Sequence, residues 1–373
     1  MRKKFFSIVA IILCCSLIFS ACGKHSNKSY TKNVSQEDAN LYKLNTLAPS
    51  VYSSVNGLTL EPGTCISIIG RFSNDSYWKQ IKAGAEQAIT ELNNSLGYTG
   101  KDKITLTFKA PGTLNDINEQ VNILDEEVAR NPVAICISAI DPDAFSIQFD
   151  LAAESDIPII TFDSSSNYQN IGTHISTDNT KASETAAKEL AQLMEESGEV
   201  AIFVQNSLSS NSKQRLQGFL DTIHKSYPEI SVANTYYLDE FDAMSQVVAA
   251  EKNISIVSQD DVISYILEKN PNLKGVYTTD LDTTQLVANA LRKAKRTELA
   301  FIGFDGGPEQ IQLIKDGVVN GLIIQNPYAM GYAIVVASTR LSLGLGNASF
   351  VNSGSVFVTK ENMSSDSIVK MLY

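Results

Sequence analysis

The sequence predicts an α/β protein made of two doubly wound parallel-sheet lobes. Three observations lead there. From Cys65 onward, short β-branched runs alternate with helix-length periodic stretches, the pattern of βαβ units around parallel sheets. The chain has 373 residues, a length for about two domains, and about ten strand-like runs suit two sheets better than one. Hydrophobic residues make up 43% and charged residues 19%, so a packed core is available and wholesale disorder is excluded. Eight even βα units, which a closed barrel would need, are not visible.

The N-terminus reads as an address. Met1-Arg2-Lys3-Lys4 is followed by a mostly apolar run from Phe5 to Phe19 and then Ser20-Ala21-Cys22-Gly23. This is a signal-peptide pattern of basic start, apolar centre and small-residue cleavage site. The apolar run falls short of the roughly 20 residues that cross a bilayer. Ser20-Ala21-Cys22 resembles a bacterial lipobox, with Phe19 where Leu is usual. That resemblance implies cleavage before Cys22 and lipidation of its thiol, so residues 1–22 are expected to leave and the body to sit outside the cytoplasm on the membrane. An ordinary secretory signal or a short membrane anchor is the alternative. Removal takes Arg2, Lys3 and Lys4, so 30 basic residues become 27 against 41 acidic ones and the net charge moves from −11 to −14. A sequence-independent nucleic-acid binder needs a basic face, so nucleic acid is excluded as a partner.

Residues 23–60 read as a tether. Gly23 to Gln36 is rich in Ser, Asn and Lys, and Pro49 to Gly63 is turn-rich. An N-terminal element packed on the body is the alternative. The strand-like runs that follow are Cys65–Ile69, Ile104–Phe108, Val133–Ser138, Ile157–Phe162, Val200–Val204, Val232–Tyr237, Gly275–Thr278, Leu299–Phe304, Gly321–Gln325 and Ser355–Val358. Helical periodicity marks Trp78–Leu96, Ile117–Ala129, Ala182–Glu196, Lys213–Ser226, Asp260–Lys269, Thr283–Lys295, Pro308–Asp316 and Ala329–Leu343. Ala243–Gln259 exceeds a usual connection and reads as an insertion with a helix of its own. Of the five cysteines, Cys14 and Cys15 go with the signal and Cys22 takes the lipid. Cys65 and Cys136 sit beside or inside strands, either as buried thiols or as a single disulfide. His25, His174 and His224 are scattered and expected at the surface. No metal-ligand spacing occurs, and no cofactor is expected.

In open parallel sheets the ligand lies beyond the carboxyl ends of the strands. The residues at those ends are polar and aromatic: Asn74-Asp75-Ser76-Tyr77-Trp78, Asp163-Ser164, Asp239-Glu240-Phe241, Thr279-Asp280, Asp305-Gly306 and Gln325. Strand position alone therefore predicts a binding cleft. The same residues carry a resemblance. Asn74 to Trp78 leads into a helix with Gly84-Ala85. Ile157–Phe162 ends at Asp163. Then come Ser176-Thr177-Asp178-Asn179, Arg215 with Gly218-Phe219, Ile302-Gly303-Phe304-Asp305-Gly306 and Val358-Thr359-Lys360-Glu361-Asn362. In this order and spacing the chain resembles, over about residues 64–360, the periplasmic sugar-binding proteins of ABC transporters. These are the ribose-binding type of the type I periplasmic-binding-protein fold.

The resemblance implies two lobes on a multi-strand hinge: 61–176 plus 326–352 as the N-terminal lobe, and 177–325 plus 353–373 as the C-terminal lobe. The crossovers fall near Thr177, Gln325 and Gly354. It implies a monomer that closes on a sugar and presents it to an ABC permease, or to a membrane receptor such as a histidine kinase. Sugars need aromatic rings for their C–H faces and charge-assisted partners for their hydroxyls. Tyr77 and Trp78 match the family's stacking pair, and Phe241 the aromatic of the opposite lobe. Asp75, Asp163, Arg215, Asp280, Asp305 and Gln325 match polar site positions, with Ser138 and Thr177 completing the set. Ser164 stands where the family often has Arg, Ser138 where Asn is common, and Asp75 and Asp280 where Asn is frequent. Four carboxylates then face one cation, Arg215, which leaves a different sugar, an amino sugar or a cationic solute as ligands. A transcriptional regulator sharing this body would need a DNA-binding N-terminus. For an enzyme, there is no Gly-Lys-Ser/Thr phosphate loop, no His-Glu-x-x-His and no Gly-x-Ser-x-Gly; the clustered carboxylates could in principle serve glycoside chemistry, but the resemblance implies that they only bind. The expectation is a binding protein and not an enzyme.

Overall fold

The structure, a computed structural model, describes residues 35–72 and 75–373. The signal peptide, Cys22, Asn74 and the first part of the 23–60 segment lie outside the described residues. In chain order the elements are α1 Gln36–Leu44, β1 Cys65–Ile69, α2 Ser76–Leu96, β2 Thr105–Lys109, α3 Ile117–Ala129, β3 Ala134–Ile137, α4 Ser146–Glu154, β4 Ile159–Phe162 and β5 Ile171–Ser176. There follow α5 Asn179–Leu193, β6 Gly198–Val204, α6 Ser210–Ser226, β7 Ile230–Tyr237, α7 Phe241–Lys252, α8 Gln259–Lys269, β8 Leu273–Thr278, α9 Leu281–Ala294, β9 Ala300–Phe304 and α10 Pro308–Lys315. The chain closes with β10 Gly321–Gln325, α11 Pro327–Ser342, β11 Phe350–Asn352, β12 Ser355–Thr359 and α12 Asp366–Met371.

Two six-stranded sheets result, ordered β11-β5-β4-β3-β1-β2 and β12-β10-β9-β8-β6-β7. All pairings are parallel except β10 with β12. The central strands β1, β3 and β4 read as continuous apolar runs because helices cover both faces, and their residues are almost wholly buried. The two sheets have the same order, so each strand of the first lobe has a counterpart in the second. The second lobe carries two helices, α7 and α8, between β7 and β8, where the first has only α3. Most of the Ala243–Gln259 segment is accordingly helix, within α7.

Side-chain caps start the helices that border the inter-lobe face. Asp75 accepts from the Trp78 N–H at 3.0 Å, Asp280 from Thr283 N–H at 3.0 Å, and Asn326 from Ala329 N–H at 3.1 Å. α2 and α11 cross in backbone contact. A Cβ on Gly84 would lie 1.9 Å from the Tyr328 carbonyl oxygen, and one on Gly331 would lie 1.8 Å from that of Ile81. Only glycine permits this approach, and it ties the start of α2 to the helix that follows the hinge.

Three differences from the sequence reading have physical reasons. β5 and β11 carry little apolar periodicity and form through pairing with β4 and with each other. The 36–60 segment is packed rather than free: Leu44, Leu47, Tyr52, Val55, Leu58 and Leu60 join the core around α11. Its scattered apolar residues find partners only in the folded body. His174 is half-buried rather than exposed. It bonds Thr161 Oγ1 at 3.0 Å, and burial lowers its pKa to about 4. Cys65 and Cys136 are both free thiols, and burial pushes that of Cys136 up to about 12.

Candidate functional site

The carboxyl ends of β1, β4, β6, β8, β9 and β10 converge on a cleft between the two sheets. It is lined by Arg71, Asp75, Tyr77, Trp78, Asp163, Arg215, Asp280, Asp305 and Gln325, among others. The lobes meet across it: the Ser165 N–H donates to Ser210 Oγ at 2.9 Å, and Ser164 Oγ lies 3.4 Å from the same oxygen.

Asp163 and Asp305 occupy equivalent places after β4 and β9. Both take positive φ, 54° and 71°. Both donate their N–H to the neighbouring strand, to the Ile175 oxygen at 2.9 Å and the Ile323 oxygen at 2.8 Å. Asp and Asn tolerate this conformation better than other non-glycine residues. The turn aims each carboxylate into the cleft. Asp163 Oδ1 accepts the Tyr77 hydroxyl at 2.8 Å and its Oδ2 the Ser138 hydroxyl at 3.0 Å. Asp305 Oδ1 accepts Gln325 Nε2 at 2.7 Å and the Tyr373 hydroxyl at 3.2 Å, while Oδ2 accepts the Leu281 N–H at 3.0 Å. Burial pushes Asp305 up to about 6, against the pull of Arg215 and Gln325. Asp280 is held by Thr283 and Thr279. Asp282 at the rim is raised to about 6, by burial first and then by Asp280, Asp75 and Asp305.

Arg215 reaches the cleft from α6. Its Nε donates to Asn179 Oδ1 at 2.8 Å and its Nη1 to the Thr279 carbonyl at 2.7 Å, and the guanidinium lies 4.3 Å from the Phe304 ring centre. Its Nη2 is buried and unpartnered. A second guanidinium, Arg71, stands just past β1. It donates through Nη2 to Asn115 Oδ1 at 2.9 Å, and its Nε is buried and unpartnered. Burial lowers its pKa, while Asp163 and Asp280 act to raise it. The sequence reading of a single cation is therefore corrected: the described residues place two guanidiniums among the carboxylates. Tyr77 and Trp78 form the aromatic wall, their rings edge-on at 5.4 Å.

The cleft does not gather every expected residue. Phe241 lies in the second lobe's core with Tyr236 and Val248, away from the cleft. It starts α7, whose inner face packs on α8, so its ring turns inward. Ser138 and Ser164 are fully buried behind the wall, where Ser138 braces Asp163. Thr177 belongs to the hinge: its hydroxyl donates to Gln325 Oε1 at 3.0 Å. Conversely Arg71, Leu114, Gln205, Asn211, Leu281 and Asp282 line the cleft without having been singled out. A signal existed for two of them. Arg71 and Gln205 lie at the carboxyl ends of β1 and β6, the same topological place used for the others.

A family model described as a periplasmic binding protein domain matches residues 66–345. The chain belongs to the periplasmic binding protein family. A D-apiose import binding protein of Actinobacillus succinogenes is 26% identical over 285 residues, 76% of this chain and 79% of the relative. A ribose import binding protein of Salmonella typhimurium is 23% identical over 82% of this chain and 94% of its own. Among solved structures, a carbohydrate transporter solute-binding protein of Agrobacterium radiobacter, in complex with D-arabinose, is 28% identical. It superposes with a TM-score of 0.72 over 83% of this chain and 99% of its own. An ABC transporter solute-binding protein of Agrobacterium vitis with bound D-fucose gives 26% identity and a TM-score of 0.71, over 83% of this chain and all of its own. The fold is type I, and this chain crosses between its two sheets three times, from β5 to β6, from β10 to β11 and from β11 to β12. In this periplasmic binding protein the crossovers are knit together. The Ser353 N–H donates to the Ser176 oxygen at 2.9 Å, and the Asp178 N–H to Asn352 Oδ1 at 3.3 Å.

Proposed function

We propose that this chain is an extracytoplasmic solute-binding protein that closes its lobes on a neutral sugar and delivers it to an ABC importer. One observation carries the ligand class. Arg71 and Arg215, one from each lobe, each keep an unpartnered N–H in a cleft that also presents Asp163, Asp280 and Asp305. Unpartnered buried donors are costly, and a ligand oxygen removes the cost. Donors and acceptors facing one volume suit hydroxyls, which donate and accept at once. The wall of Tyr77 and Trp78 suits the C–H face of a sugar ring. Two guanidiniums among the carboxylates remove the need for a cationic solute. The named ligands of the relatives, apiose, ribose, arabinose and fucose, support the same class.

The lipobox-like Ser20-Ala21-Cys22 supports a lipid anchor at Cys22, and the body is proposed to work as a monomer beside its permease. The test uses the chain's one tryptophan, Trp78. Its fluorescence in the full chain in detergent is titrated with pentoses, hexoses, amino sugars, polyols and polyamines. Saturable binding of one neutral sugar is expected. A response to polyamines alone would overturn the neutral-sugar reading, and silence to every solute from a folded protein would overturn sugar capture.

A further inference from the structure

We propose that Tyr373 is a positioning residue of the binding site, which holds the Asp305 carboxylate and bridges the two lobes in their closed form. The proposal rests on the reading of the cleft as a sugar site. Tyr373 lies beyond the family-matched residues 66–345, and so does α1. Its arm, α12 and the two residues after it, extends from β12 of the second lobe, where Ile368 joins the core. From there the side chain turns into the space behind the cleft. The hydroxyl donates to Asp305 Oδ1 at 3.2 Å and accepts the Gly306 N–H at 3.3 Å, both on the second lobe. The ring meets that of Tyr77 on the first lobe, at 6.1 Å between centres and 65° between planes. Tyr77 in turn bonds Asp163. One aromatic pair thus joins the carboxylates that the two lobes contribute: Asp163–Tyr77–Tyr373–Asp305.

The arm is itself anchored. The Leu372 carbonyl accepts Lys43 Nζ at 3.4 Å, and the Lys43 carbonyl accepts Asn326 Nδ2 at 2.8 Å, next to the crossover at Gln325. Lys43 is almost fully buried and also reaches Gln80 Oε1 on α2 at 3.4 Å. Thr46 Oγ1 donates to the Ser353 carbonyl at the third crossover. The N-terminal segment therefore lies across all of these hinge elements and fixes the arm from which Tyr373 projects. None of these contacts needs a ligand. A bridge made only when the lobes are closed raises the closed fraction of the unliganded protein, and apparent affinity scales with that fraction.

The experiment compares the full chain with Tyr373→Ala and Tyr373→Phe. Nitroxides at Glu154→Cys and Lys225→Cys, in a background where Cys14, Cys15, Cys22 and Cys65 are replaced by Ser and Cys136 stays buried, report lobe separation by double electron–electron resonance without ligand. Sugar binding is followed by Trp78 fluorescence and stopped flow. Tyr373→Ala is expected to lose the short-distance population in the unliganded protein. It is also expected to weaken binding about 5-fold or more, mainly through faster release, the scale of one net hydrogen bond plus a ring contact. Tyr373→Phe keeps the ring and lies between Tyr373→Ala and the parent, so it preserves the test should the alanine variant fold poorly. An unchanged unliganded distance distribution overturns the proposal, whether or not affinity falls. Failure of the sugar reading shows separately, as a parent protein that binds no sugar, while the unliganded distances still report on the bridge.

Discussion

Asp163→Asn separates the chemistry of the cleft from its architecture. Asp163 sits at φ 54°, which Asn adopts nearly as readily as Asp, so the turn after β4 is retained. The amide keeps the volume and one carbonyl oxygen, and either Tyr77 or Ser138 still finds an acceptor. What is lost is the charge and one accepting oxygen facing the ligand. A hydrogen bond to a charged partner contributes about 1.5–3 kcal/mol net, so affinity should fall about 10- to 150-fold. The melting temperature without ligand should change far less, since no packing is removed. Isothermal titration with the tightest-binding sugar, beside thermal melts, measures both. An affinity within twofold of the parent would refute the reasoning, because a carboxylate that does not touch the ligand cannot anchor it. By contrast Asp163→Ala strains the left-handed turn and mixes both effects.

Arg71→Met should weaken sugar binding at least tenfold, and Arg71→Lys should not restore it, because an ammonium cannot keep the Asn115 bond and aim a planar N–H at once; titration calorimetry of both variants checks this. Phe241→Ala should lower stability by about 3–5 kcal/mol through the cavity it leaves, with affinity unchanged at saturating folded protein, as denaturant melts and titration will show. Asp305, raised to about 6, favours the fold when protonated, so its stabilising contribution is present at low pH and is lost as pH rises through about 6. Its accepting charge works the other way on the ligand: sugar affinity should fall as pH drops from 7 to 5, and Asp305→Asn, which also tolerates its φ of 71°, should flatten that profile.

Much of the architecture is legible in the amino-acid sequence. The alternation of apolar runs with helical stretches reports local burial, and parallel sheets bury both faces of their central strands, as in β1, β3 and β4. Once that alternation is read, topology places the carboxyl ends of the parallel strands at one cleft. Asp75, Asp163, Asp280, Asp305 and Gln325 could therefore be picked by position. Phe241 satisfied the same positional rule and still turned into the core, because which way a ring points depends on the helix packed over it. Arg71 and Gln205 obeyed the rule as well, but only the packed structure turns them inward.

The alternating elements, the two-sheet architecture and the strand ends from which a site is built all follow from the amino-acid order, because each rests on short-range periodicity and on turn residues. The second guanidinium, the burial of Ser138 and Ser164 behind Asp163, and the packing of residues 36–60 arise only on folding. Folding also brings Tyr373 against Tyr77 and Asp305. Those outcomes pair residues tens to hundreds of positions apart, and no local pattern encodes a partner that only folding brings near.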